Sequence, residues 1–158
     1  MIMNKFGLTA FLLIVSTPAL ATNGALDFKG FPLGGRVEAF KQKFPSFQCW
    51  PTKDNQIACD SSRETYAGVD VDSIHVSFSE GGLHDFQVAA AGAEKRAQIL
   101  AAMNPNSGTP RSEEEQLTQW ELSNGNCRLL WGLPPKFQLL CASNASPPKS
   151  DKPAKDDI

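Results

Sequence analysis

Hydrophobic and polar residues alternate along three stretches near the end of the chain, and this pattern predicts a three-stranded antiparallel meander. Because successive strand residues point to opposite faces of a sheet, one face collects the large apolar side chains. Asn, Gly and Pro residues separate the stretches, as expected for tight turns. This register places Cys127 opposite Cys141. The predicted strands are Gln116–Leu122, Cys127–Gly132 and Phe137–Ser143, and the predicted core face holds Thr118, Trp120, Leu122, Cys127, Leu129, Trp131, Phe137, Leu139 and Cys141.

Two hairpins and two helices are predicted upstream of the meander. In the first helix, Val37, Phe40 and Phe44 are spaced three and four apart, which gives a one-sided apolar stripe. The apolar side of the second helix is predicted to hold Ala93, Ala97, Leu100, Ala101 and Met103. The predicted helices are Arg36–Phe44 and Ala93–Met103, and the hairpins pair Ser46–Trp50 with Gln56–Ser61 and Val71–Phe78 with Leu83–Ala91.

The return strand of the second hairpin breaks the alternation once. The apolar step from Leu83 to Phe86 spans three residues, whereas the later steps in the same strand span two. An extra residue in one strand of an antiparallel pair is a β-bulge. We therefore expect a bulge near His84 and Asp85, which returns Phe86 to the core side.

These elements predict a single α+β domain over residues 22–143. Consecutive antiparallel hairpins favour one sheet, and the apolar stripes of both helices need a common surface. We expect the two helices to pack on one face of an antiparallel sheet of about six to seven strands. Residues 144–158 are rich in Pro, Lys and Asp. They offer too little apolar surface to offset the entropy of ordering, so we expect a disordered tail.

The first residues of the chain indicate export. Met1–Lys5 is short and basic, Phe6–Val15 is apolar, and Ala19–Ala21 ends the segment with small residues. This pattern is typical of a secretory signal peptide, whereas a transmembrane helix needs roughly twenty apolar residues. We expect cleavage after Ala21 and a periplasmic or secreted product without a membrane span. Thr22 follows the cleavage site instead of a cysteine, so no lipid anchor is expected.

Four cysteines in an exported chain are expected to form disulfides. We predict Cys49–Cys59 and Cys127–Cys141, because each pair then lies across its own hairpin. Each bond closes a short loop and stabilises the fold by roughly 3 kcal/mol. A zinc site is the alternative, but the closely spaced cysteine pairs typical of zinc ligands are missing. No metal and no other cofactor is therefore predicted.

Candidate catalytic residues are few. His75 and His84 lie on adjacent predicted strands near Asp85, and a cell-envelope hydrolase would use one of them with an acid. The simpler interpretation is two exposed sheet residues beside a bulge, so no catalytic residue is assigned. The formal net charge of −2 argues against nucleic acid as a partner, since binding to phosphates needs clustered positive charge.

Two segments resemble motifs of small exported α-β-β modules. Gly30–Phe40 reads Gly-Phe-Pro-Leu-Gly-Gly-Arg-Val-Glu-Ala-Phe and resembles the start of the helix in these modules, and Phe78–Phe86 resembles their hairpin. Such modules occur in the BamE/SmpA accessory lipoproteins of outer-membrane assembly and in the β-lactamase inhibitory proteins. The second group has two repeats of helix and sheet with a disulfide in each, similar to the cysteine assignment made here. The resemblance implies a protein-binding scaffold rather than an enzyme.

The sheet face opposite the predicted helices is the candidate binding surface. A solvent-facing sheet is usually polar throughout, whereas this face holds Trp50, Leu130, Leu140 and Arg128 beside His75. Tryptophan and arginine are enriched in binding hot spots. We therefore expect a non-catalytic protein-binding module of the inhibitor, immunity or assembly-accessory type. The alternatives are the hydrolase and a small-ligand carrier with an apolar cavity between helices and sheet. The same face is predicted to include Gln48, Ala58, Ser77 and Gln138.

Overall fold

The structure is a computed structural model, and it describes residues 24–80, 82–108, 110–113, 116–132 and 135–145. The predicted signal peptide, residues 1–21, lies outside the described residues, as do residues 146–158 of the predicted tail. The helices are α1, Val37–Lys43, and α2, Ala93–Ser107. The strands are β1 Asp27–Phe28, β2 Phe31–Pro32, β3 Gln48–Pro51, β4 Ile57–Ser61, β5 Glu64–Tyr66, β6 Val69–Val71, β7 Ser73–Ser79, β8 Gly82–Ala91, β9 Ser112–Glu113, β10 Leu117–Glu121, β11 Gly125–Trp131 and β12 Lys136–Ser143.

The main sheet is antiparallel and has the order β3-β4-β7-β8-β12-β11-β10-β9. Seven of these strands have four or more residues and β9 has two, so the α+β class and the predicted strand number are confirmed. In the described chain each helix is followed by four strands of this sheet. β8 and β12 pair at the centre, so the two sets of strands join through their last members, and β3 and β9 form the edges.

The buried side of α1 is the predicted one. Phe40 is fully buried, and Val37 and Phe44 are half-buried against the core. The helix ends before Pro45, because the residue that precedes a proline is pushed out of the helical region, and Phe44 has φ −128° and ψ 72°. The ring centroid of Phe40 lies 5.1 Å from that of Phe78 on β7, which joins the helix to the sheet.

The buried side of α2 agrees with the prediction in part. Met103 is buried and Leu100 is half-buried against the core, as predicted. Ala93, Ala97 and Ala101 are exposed instead, and Ile99 is buried although it was not predicted to be. Residues four apart lie on the same face of a helix, so Ile99 and Met103 define the side that packs. The alanines misled the prediction because they bury little area. Neither helix in the described segments has the length and apolar character needed to cross a membrane.

A hairpin occupies the stretch between β4 and β7, most of which lies between the two hairpins predicted from the sequence. β5 and β6 form a separate two-stranded sheet. The turn between them places Ala67 at φ 52° and Gly68 at φ 76°, which suits a tight hairpin with two left-handed residues. Its apolar residues Tyr66, Val69 and Val71 are buried in the same core cluster as both helices.

Both predicted disulfides are confirmed. Cys49 pairs with Cys59 across β3 and β4, and Cys127 pairs with Cys141 across β11 and β12. The predicted core face of the meander is also confirmed. All its members are buried except Trp131, which is half-buried and lies opposite Phe137 as expected.

The predicted bulge is present in the second hairpin. Ser77 pairs with Asp85 and Phe78 pairs with Leu83, so His84 is the extra residue of β8. Phe86 is fully buried as a consequence. The bulge also restores the alternation for Asp85 and Gln87, which lie on the face opposite the core.

Candidate functional site

The candidate site is the face of the main sheet that alternates with the buried residues, which we call the outer face. Strand β7 shows the alternation clearly, since Ile74, Val76 and Phe78 are buried and the residues between them are not. The strand register then identifies neighbours across the sheet. The outer face comprises Gln48, Trp50, Ala58, Asp60, His75, Ser77, Asp85, Gln87, Ala89, Leu117, Gln119, Glu121, Asn126, Arg128, Leu130, Gln138, Leu140 and Ala142.

The five predicted binding residues all lie on the outer face, but the structure divides them. Trp50 and His75 belong to the β3–β7 side, and Arg128, Leu130 and Leu140 belong to β11 and β12. Four strand spacings separate β3 from β12, or about 19 Å at about 4.8 Å each. Trp50 therefore does not belong to the same patch as the two leucines.

Trp50 is the large apolar side chain that the described residues expose most, at 42%. It lies on the edge strand β3 and pairs with Ala58 of β4. Ala58 was predicted to line the outer face, yet it is only 5% exposed. The indole beside it accounts for this burial, because directly paired residues on one face of a sheet are in contact.

Three leucines form a second patch on the outer face, which we call the leucine patch. Leu117 pairs with Leu130, and Leu140 lies diagonally next to Leu130, two residues from its partner Gln138. The three side chains are half-buried. Arg128 is exposed beside them and pairs directly with Leu140, so an apolar surface and a cation lie side by side.

Three hydrogen bonds and one close contact between a histidine and a carboxylate connect five polar residues in succession across β4, β7 and β8, and we call this arrangement the histidine row. Asp60 Oδ1 lies 2.5 Å from His75 Nδ1, and His75 Nε2 lies 3.3 Å from the Ser77 hydroxyl. Ser77 donates to Asp85 Oδ1 at 2.9 Å, and Asp85 Oδ2 lies 2.6 Å from His84 Nδ1. Both histidines of the chain thus belong to one polar arrangement.

The two histidines differ in their surroundings. The His75 side chain is 39% exposed, and that of His84 is 22% exposed. The Nε2 atom of His84 is buried and has no hydrogen-bond partner. The interpretation of both as exposed residues is therefore wrong for His84, whose ring is mostly covered and has one buried nitrogen.

An open depression of about 780 Å³ lies at the end of the histidine row. Asp60 and His75 line it, together with Gln48, Arg63, Ser73 and Gln87. The lining is mainly hydrogen-bonding side chains, which suits polar groups of a partner rather than an apolar ligand. Within the described residues, no group of three or more His, Cys, Asp or Glu side chains is placed to hold a metal ion.

The prediction identified His75 and Ser77 but missed Asp60 and Gln87 as parts of the site. Asp60 pairs with His75 because β4 adjoins β7, although the two strands belong to different hairpins. The alternation of β4 was sufficient to place Asp60 on the outer face. The order of the strands was the missing information.

No protein-family model, curated protein or solved structure matches this chain.

Proposed function

We propose that this protein is an exported, non-catalytic module that binds another protein through the outer face of its sheet. The two disulfides support export, because such bonds persist in oxidising compartments. The resemblance to small exported α-β-β modules agrees with this proposal and remains a prediction.

The observation that carries the proposal is the composition of the outer face. Seven strands give it a width of roughly 30 Å, which is the scale of a protein surface. It combines the exposed Trp50 with the exposed Arg128 and the leucine patch. Interfaces typically consist of aromatic and arginine anchors with apolar neighbours and a polar rim.

In this proposal both helices cover the opposite face. The contact between Phe40 and Phe78 supports that placement for α1. Ile99 and Met103 of α2 belong to the same core cluster as Val88 and Leu139 of the central strands. The outer face is then left for the partner, and its short edge strands limit unwanted pairing with other sheets.

The hydrolase is the second candidate, and one observation favours it. Asp60 and His75 lie within hydrogen-bonding distance inside a depression, which is the arrangement that acid–base catalysis needs. The binding module is preferred because the outer face extends far beyond this depression. A His75→Ala variant that retains partner binding but loses a hydrolytic activity on cell-envelope material would establish the second candidate.

Site-specific cross-linking tests the binding surface. A photo-reactive residue is placed at Gln48 beside Trp50, at Gln138 beside the leucine patch, and at Gln42 on α1 as the control. All three glutamines are exposed, so they differ in location rather than in accessibility. We expect one and the same envelope protein to cross-link at Gln48 and Gln138, and not at Gln42.

Affinity measurements with the purified partner complete the test. Trp50→Ala and Arg128→Ala should each raise Kd about tenfold or more. Lys41→Ala removes an exposed charge from α1 and should leave Kd unchanged. Cross-linking that is strongest at Gln42, or a Kd insensitive to both outer-face variants, would refute the proposed surface.

A further inference from the structure

We infer that the histidine row is a proton-operated latch on the outer face, closed when both ring nitrogens of His75 carry hydrogen. The number of hydrogens available to the row differs from the number that its bonds need. A carboxylate only accepts hydrogen bonds, a serine hydroxyl has one hydrogen, and a neutral imidazole has one N–H. The three bonds that run from Asp60 through His75 and Ser77 to Asp85 need three hydrogens.

With a neutral His75, the row has two hydrogens for these three bonds. His75 Nδ1 must donate to Asp60, because the carboxylate cannot donate. Ser77 then has one hydrogen and two acceptors, Asp85 and the bare Nε2 of His75. A second hydrogen on His75 resolves the competition, since Nε2–H donates to Ser77 while Ser77 donates to Asp85.

The other end of the row favours a neutral His84. Its Nδ1 lies 2.6 Å from Asp85 and donates to the carboxylate. Its Nε2 is buried without a partner, and a hydrogen placed there would be an unpaired buried donor on a charged ring, which is costly. Protonation of the row therefore takes place at His75.

The charged groups around His75 come from three parts of the chain. Asp60 faces it from β4, Asp85 reaches it through Ser77 from β8, and Arg63 lines the same depression. The two carboxylates give the row a charge of −2 when His75 is neutral, and a protonated His75 reduces this to −1. Acidification supplies the second hydrogen of His75, so the latch closes as the pH falls.

The consequence for recognition depends on the proposed function. In the closed latch, each of the three bonds has a hydrogen from within the protein. An open latch leaves one acceptor of the row without a hydrogen, and a partner can supply it with a basic or amide side chain. The partner then places such a donor at the depression and binds more tightly at pH 7.5 than at pH 5.5.

Nitrogen-15 NMR of the His75 ring tests the latch without any partner. At pH 5.5 we expect an Nε2–H that exchanges slowly with water in the wild type and rapidly in Ser77→Ala. Ser73→Ala is the matched control, because Ser73 lies on the same strand and lines the same depression, and it should leave the exchange unchanged. Equal exchange rates in the wild type and Ser77→Ala would overturn the latch.

Partner binding tests the regulatory part separately. Kd of the wild type should rise roughly threefold or more from pH 7.5 to pH 5.5, the effect expected for one exposed charge. His75→Gln keeps a hydrogen-bonding side chain that does not titrate, so its Kd should be the same at both pH values. An equal pH dependence in the wild type and His75→Gln would overturn the regulation, even where the outer face is the binding surface.

Discussion

Gly34 and Leu83 are joined by a backbone hydrogen bond that lies outside the regular strand pairing. The N–H of Gly34 donates to the carbonyl oxygen of Leu83 at 2.8 Å, and the N–H of Leu83 donates to the carbonyl oxygen of Gly35 at 2.9 Å. These two hydrogen bonds connect the turn before α1 to the start of β8. The two glycine-containing segments that resemble motifs of α-β-β modules therefore contact each other directly.

Replacing Gly82 should disrupt this contact. A Cβ at Gly82 would lie 2.2 Å from the Gly34 carbonyl oxygen, and Gly82 has φ +89°. We expect Gly82→Ala to lower the free energy of unfolding by about 2–4 kcal/mol, measured by urea denaturation. Gly68→Ala is the matched control, because Gly68 has φ +76° and a Cβ added there would meet no atom within 4 Å; it should cost about 1 kcal/mol. If both variants lost the same free energy of unfolding, backbone strain alone would explain the effect of Gly82→Ala, and the clash with Gly34 would contribute nothing.

The two disulfides should differ in their contribution to stability. They close loops of similar length, with cysteines 10 and 14 positions apart in the sequence. By restricting the unfolded chain, each disulfide should therefore add about 3 kcal/mol to the free energy of unfolding. Cys127 and Cys141 are buried, whereas Cys49 is half-buried. The double Cys→Ala variant of the second pair should therefore lose more unfolding free energy, because it also leaves a cavity.

Peptide mapping under non-reducing conditions is the check on this pairing. It should recover only Cys49 linked to Cys59 and Cys127 linked to Cys141. If removing Cys49–Cys59 lowered the free energy of unfolding more than removing Cys127–Cys141, the role assigned to burial would be contradicted.

The pKa of Glu64 makes stability depend on acid pH. Burial alone would raise this pKa, but hydrogen bonds from Lys29, Ser46 and Ser61, with the charge of Lys29, lower it below its ordinary value. A carboxyl whose folded pKa is lowered stabilises the fold above its unfolded pKa, and the contribution is lost as pH falls through the folded pKa. We expect Glu64→Gln to cost about 1 kcal/mol at pH 7.

The pH series is the informative measurement for Glu64. The difference in unfolding free energy between wild type and Glu64→Gln should shrink as the pH falls below about 4.3, the ordinary value for a glutamate. In a Lys29→Met background the difference at pH 7 should be much smaller, because Lys29 lies 2.8 Å from Glu64. A difference that stays constant down to pH 2 would contradict this account.

Asn124 should hold the start of the described chain in place. Its Oδ1 accepts from the N–H of Leu26 at 2.6 Å, and its Nδ2 donates to the carbonyl oxygen of Leu26 at 3.1 Å. Asn124→Ala should cost about 1–2 kcal/mol and speed hydrogen exchange at Leu26, because both backbone groups lose their partner. Asn124→Asp keeps the acceptor and should slow that exchange relative to Asn124→Ala. Unchanged exchange in both variants would refute the anchoring role.

Alternation along the strands was sufficient to predict the meander and both disulfides. A side chain on a strand points to the face opposite that of its neighbour, so Cys127 and Cys141 fell on one face before any tertiary contact was known. The same reasoning located the bulge near His84 and Asp85, since a bulge is a local change in that alternation. The same alternation placed the five predicted binding residues on the face opposite the buried side chains, and the strand register agrees.

Tertiary structure alone decided which strands of different hairpins are neighbours. The pairing of β8 with β12 and of β4 with β7 depends on backbone hydrogen bonds between segments distant in sequence, and these leave no mark in local alternation. The distance between Trp50 and the leucine patch, the burial of Ile99 in place of the alanines of α2, and the histidine row all follow from this packing. The sequence by itself thus determined which face each strand residue occupies and which strands pair within a hairpin, and folding determined which hairpins lie side by side.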